Sequence, residues 1–203
     1  VVAAWLLVVC AFVFAMVVLG GVTRLTGSGL SIVDWRPITG ILPPLDQNAW
    51  AEAFARYRQF PEYQKVNPGM TLSGFKSIFW LEFSHRLLGR LLGFVFVLPF
   101  LWFLVTRRIE RAHVGKFVLM FVLGGAQGLL GWYMVKSGLV GRPDVSHLRL
   151  TAHLGLAVAI YGYIFWVALD LLYPPGAPIH VHRSARGLVA GLRGLVPWVF
   201  LVI

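Results

Sequence analysis

Residues 78–105 read IFWLEFSHRLLGRLLGFVFVLPFLWFLV. The run is longer than the ~20 apolar residues that cross the hydrocarbon core of a bilayer, so lipid rather than water is its solvent. Its opening part nevertheless carries Glu82, His85, Arg86 and Arg90. Ionisable groups at membrane depth are costly to keep, which marks this stretch both as a span and as the place to seek function. Working outward, Val1 to Val22, Phe117 to Val135 and Leu148 to Tyr173 are further apolar runs of spanning length. The first lacks a basic leader and a small-residue cleavage site, so it reads as a retained span. The last is stopped by Pro174 and Pro175, which cannot continue a helix. The fold class expected is therefore all-α, a polytopic transmembrane helix bundle with four complete spans. A short apolar run from Leu195 to Ile203 is read as the start of a fifth, and the chain as a fragment.

Composition agrees: 58% of residues are hydrophobic, 13% are charged, and the mean hydropathy is +0.76. The formal charge of +10 does not point to nucleic acid. Lys and Arg cluster beside the apolar runs, where cytoplasmic retention and anionic headgroups account for them. A single cysteine, Cys10, allows neither a disulfide nor a cysteine metal site within the chain. Arg107, Arg108, Arg111 and Lys116 crowd one short loop, and Arg183, Arg186 and Arg193 another. Both loops are expected on the cytoplasmic side with the N-terminus, leaving the long Thr23 to Ser77 segment outside. Its Pro and Gly residues mark turns around a helix expected over Gln47 to Gln59, so the segment should form an ordered outer cap. Trp35, Trp50, Tyr57, Phe60 and Tyr63 there suit either headgroup anchoring or a lid over a substrate.

His85 and His153 fall at similar depth on antiparallel spans. Neutral imidazole ligates haem iron, and bundles hold cofactors between side chains of facing helices. The pair can ligate one haem, or be hydrogen-bonded core residues, or form part of a proton path. Glu82 lies three residues before His85 and four before Arg86, spacings that share a helix face and favour an ion pair. Arg86 can thereby tune Glu82 for proton transfer or for stabilising positive charge. Arg86, Arg90 and Arg149 either snorkel to phospholipid phosphate or pair with acidic groups of a ligand. Arg149, one turn outward of His153, is suitably spaced for a haem propionate. Gly89 and Gly93, with Gly124, Gly125, Gly128 and Gly131 on the next span, allow close helix packing. Room for a flat macrocycle is the other reading of Gly89 and Gly93. His113, His147, His180 and His182 read as solvated. His180 with His182 makes only an incomplete metal site.

The segments Gly20 to Ser31 (GGVTRLTGSGLS), Trp35-Arg36-Pro37, Pro61-Glu62-Tyr63 and Phe79 to Arg90 (FWLEFSHRLLGR) occur in the order found in the haem A synthase family. So do Gly124 to Gly128 (GGAQG), Gly131-Trp132, Val135 to Leu139 (VKSGL) and Arg149 to Leu154 (RLTAHL). On these residues the chain resembles that family over nearly its whole length. It is most similar to the branch shared by mitochondria and their bacterial relatives, which lacks paired loop cysteines. The resemblance implies eight transmembrane helices in two similar four-helix halves. It also implies oxidation of the C8 methyl group of haem O to a formyl group, giving haem A for terminal oxidase assembly. Residues 1–193 would be the N-terminal half with its cap at about 23–77, and 194–203 the truncated start of helix five. His85 and His153 would then be the axial ligands of the iron of substrate haem O. Glu82 matches the family's catalytic glutamate, and Arg86, Arg90 and Arg149 remain propionate or ion-pair candidates. A haem b cofactor is expected in the C-terminal half.

Expected partners are haem O, the lipid bilayer, a haem O synthase and an electron donor, with a homo-oligomer allowed and no nucleic acid. The expected location is the bacterial inner membrane, or the mitochondrial inner membrane in a eukaryote. Residues 1–203 alone are not expected to turn over. Two rivals stay open: a membrane haem carrier or chaperone, and a b-type cytochrome that relays electrons. The carrier predicts bound haem without a formyl product, and the relay makes Glu82 dispensable.

Overall fold

The computed structural model describes residues 1–34, 39–139 and 145–173. Among these, the regular elements are helical and none is a strand. In order they are α1 (Val2–Leu25), a 3-10 turn (Thr39–Ile41), α2 (Gln47–Tyr57), a π-helical turn (Glu62–Val66), α3 (Leu72–Val105), α4 (Arg111–Gly138) and α5 (His147–Leu172). Helices α1, α3, α4 and α5 are long and apolar enough to cross a membrane. They correspond one to one with the four apolar runs. Residues Val1–Leu172 form one compact unit, in which α1 makes the broadest contacts, with α5 and α3. The expected start of a fifth span and His180 and His182 lie outside the described residues.

Helices α1, α3 and α4 outrun their apolar stretches because a hydrogen-bond ladder does not stop at the bilayer surface. Helix α3 begins at Leu72 rather than Ile78, where the Thr71 hydroxyl accepts from the backbone N–H of Gly74 at 3.2 Å. Helix α4 starts at Arg111, six positions before Phe117. Helix α2 starts where expected, at Gln47, with the Asp46 carboxylate accepting from Ala49 N–H at 2.8 Å. It ends at Tyr57, two residues short of Gln59.

Among the described residues, two apolar cores hold the fold. One, at the end expected to face the cytoplasm, joins Trp5, Leu6, Val9, Phe96, Phe100, Phe117 and Val167, among others. Within it Pro99 interrupts α3. Having no N–H, it leaves the carbonyl of Val95 without its helical donor, a serious cost where no water can substitute. The indole N–H of Trp5, on α1, donates to that carbonyl at 2.8 Å. Nearby, Lys116 on α4 pairs with Asp170 on α5 at 3.0 Å. The second core docks the cap: Trp50, Ala53 and Tyr57 of α2 close on Phe75, Phe79 and Phe83 of α3. The Trp50 and Phe79 rings lie edge to face at 4.9 Å.

Between the two cores the bundle is loosely filled. No residue is buried over 14–22 of α1, 84–95 of α3, 121–137 of α4 or 147–159 of α5. His85 and His153 both fall in this interval.

Candidate functional site

The outer end of α1 turns by a Schellman closure. Gly27, at φ +63°, donates to Arg24 C=O at 3.2 Å, and Ser28 to Thr23 C=O at 2.9 Å. A side chain at that left-handed position would be strained, so glycine is what the turn needs. Beyond the turn, Ser31 and Ile32 meet Glu82 of α3, which is 3% exposed. The Ser31 hydroxyl donates to Glu82 Oε2 at 2.7 Å and Ile32 N–H to the same oxygen at 2.8 Å. Arg86 Nη2 donates to Oε1 at 2.6 Å and to Ile32 C=O at 2.9 Å. Both carboxylate oxygens are thus engaged, and the ion pair expected from the four-residue spacing is present. A buried carboxylate with charge-assisted bonds on both oxygens is held rigidly. Here it also fastens the start of the cap to the bundle.

His85 faces elsewhere. Three residues on a helix leave about 60° between side chains, and while Glu82 engages the cap, the His85 ring rests on α1. A Cβ added at Gly20 would lie 3.1 Å from His85 Nε2. His153 has a matching seat: a Cβ at Gly131 on α4 would come 2.9 Å from its Cε1. Each imidazole therefore sits against a glycine, where an added Cβ would push the ring aside. The two rings are near enough for electrostatic interaction. Among the described residues no hydrogen bond reaches the His85 ring. The Nδ1 atom of His153 and the Oε1 atom of Gln127 are buried without a hydrogen-bond partner.

The arginines divide. Arg86 and Arg90 line a half-open cleft of about 250 Å³ between α3 and the cap, together with Arg56 of α2, Ile32, Phe79 and Phe83. Arg56 also pairs with Asp34 at 3.2 Å and with Glu52. Arg149 stacks on Tyr133 of α4, 4.6 Å from the ring centroid. His147 is exposed, and the half-buried His113 lies 3.9 Å from Glu110. Among the described residues no three His, Cys, Asp or Glu side chains gather as a metal site. Two imidazoles without further ligands suit an iron that brings its own equatorial nitrogens.

Sequence reasoning named Glu82 and the histidines but gave no role to Ser31, Ile32, Arg56, Gly20 or Gln127. Ser31, Gly20 and Gln127 stood in the quoted motifs. What was lacking was knowledge of which helices are neighbours.

The chain is similar to curated proteins over long stretches. A protein of Nitrosospira multiformis is 56% identical over 202 residues, covering 100% of this chain and 56% of its own length. One of Parvibaculum lavamentivorans is 59% identical over 197 residues, covering 97% and 56%. One of Paramagnetospirillum magneticum is 56% identical over 195 residues, covering 96% and 53%. All three carry the name Heme A synthase. The chain spans about half the length of the curated relatives it matches. No solved structure matches it. The four apolar helices make the chain a multi-pass membrane protein. With a family model matching residues 3–203, it belongs to the COX15-CtaA family of cytochrome oxidase assembly proteins.

Proposed function

We propose that this chain forms the substrate-haem part of a haem A synthase, the membrane oxidoreductase that converts the C8 methyl group of haem O to a formyl group. The observation that carries the proposal is the loosely filled interval of the bundle in which His85 and His153 both fall, each against a glycine. A flat, apolar macrocycle with an iron at its centre needs such a gap and two opposed imidazoles. On this reading His85 and His153 are the axial ligands. Arg86, Arg90 and Arg149 orient the carboxylates, with Arg56 beside the first two. Glu82 supplies a fixed negative charge beside the reacting edge, stabilising positive charge or moving a proton there. Its bonds to Ser31 and Ile32 keep the cap closed over the site and water out. The resident haem b, which supplies redox chemistry when bound, belongs to the rest of the protein's length. So does the contact with an electron donor, and haem O arrives from its synthase. The setting is a bacterial inner membrane with the N-terminus cytoplasmic and the cap outside.

The test is haem extraction and mass analysis after expressing the complete gene with a haem O source. Wild type should yield formyl-bearing haem A, and His85→Ala and His153→Ala should abolish it. Glu82→Gln keeps the side chain's shape but loses its charge. It should retain bound haem O while haem A yield collapses. Bound but unmodified haem in an intact, electron-supplied wild type would instead favour a carrier or an electron relay.

A further inference from the structure

Gln127 of α4 reaches across to α5 at the level of His153. Its Nε2 donates to the backbone C=O of His153 at 2.9 Å and lies 3.5 Å from the ring Nε2. The carbonyl can only accept, so the amide must present its NH₂ end there, and the other orientation would set two oxygens against each other. The same NH₂ group then faces the ring Nε2. A second N–H at that position would oppose it, whereas a lone pair would accept from it. Gly131, one turn further along α4, admits the ring so closely that an added Cβ would have to push it aside. We infer that Gln127 is a positioning residue for His153. It anchors the backbone beneath the ring and holds the imidazole as the Nδ1–H tautomer, with the Nε2 lone pair kept unprotonated against the Gln127 amide until an incoming ligand displaces that amide. The buried, unpartnered Nδ1 is consistent with a tautomer set from the Nε2 side.

Only the tautomer's use in ligating haem rests on the function proposed above. The tautomer itself can be read without haem. The complete protein, labelled with ¹⁵N-histidine and held haem-free in lipid nanodiscs, gives the protonation of each ring nitrogen. The His153 signals are identified by their loss in His153→Gln. Wild type should show Nδ1–H alone. Gln127→Leu should lose that preference and give a mixture. Gln127→Glu, whose carboxylate accepts from Nε2–H, should reverse it, a change that a merely structural role would not produce. Titration with hemin should then show the low-spin spectrum of wild type weakened ~10- to 100-fold in Gln127→Glu. Nε2–H in wild type, or His153 signals unchanged in both variants, would overturn the inference. Reversal of the tautomer with no hemin binding by wild type would support the inference and overturn the haem reading.

Discussion

At the scale of single residues, the site depends as much on what is missing as on what is present. Gly20 and Gly131 leave space that His85 and His153 fill, and the clashing atoms are the ends of side chains that can rotate away. Gly20→Ala and Gly131→Ala should therefore displace the imidazoles without unfolding the bundle. Haem affinity is expected to fall ~10- to 100-fold while the thermal midpoint stays put. Gly124→Ala, where an added Cβ meets nothing within 4 Å, is the control and should alter neither. Equal losses in all three variants would mean that helix packing, not ring placement, is what these glycines serve. Ionisable residues in an apolar run announce themselves in a sequence, which is why Glu82, His85 and His153 were legible. A glycine notch or a single amide such as Gln127 is not, because its meaning depends on which helix lies opposite.

Among the elements, the four spans could be read directly from apolar runs and the Pro174-Pro175 stop, and α2 from the Pro and Gly turns around it. Their ends could not. Hydrophobicity reports bilayer thickness, and α3 and α4 extend beyond it because Thr71 and a continuing ladder carry them. The donor that serves the carbonyl stranded by Pro99 was not legible either, since Trp5 lies ninety positions from Val95 in the chain. Its contribution can be measured. Trp5→Phe keeps most of the ring packing and removes the donor to Val95 C=O, which should cost about 1–3 kcal/mol for a carbonyl stranded in an apolar interior. In a Pro99→Ala background the helix regains its own donor to Val95, so the same substitution should cost only the packing difference. Unfolding in detergent, followed through this double-mutant cycle, tests the point. Equal costs in the two backgrounds would show that the indole contributes bulk alone.

Across the whole molecule, the two apolar cores divide the labour. The bundle core around Trp5 and Phe117 keeps the spans together, while the cap core around Tyr57 and Phe75 keeps the outer segment down. Tyr57 offers a handle on the second of them. Its ring is fully buried, 5.1 Å from Phe75, and Asn67 Nδ2 donates to its hydroxyl at 2.9 Å. Burial pushes the phenol up from 10.0 to about 12, against the opposing pull of the Asn67 bond. Between those values the folded cap keeps a proton that the detached cap would release. Docking strength from this group is thus complete below pH 10 and drains away as pH rises towards 12. An absorbance titration of wild type minus Tyr57→Phe should isolate one tyrosine ionising near pH 12. The cap should loosen over the same window, seen as growing protease sensitivity of residues 57–66, while the spans stay protected. A difference curve centred on pH 10 would mean that Tyr57 meets water, and the cap would have to be held by the Glu82 bonds rather than by its aromatic core.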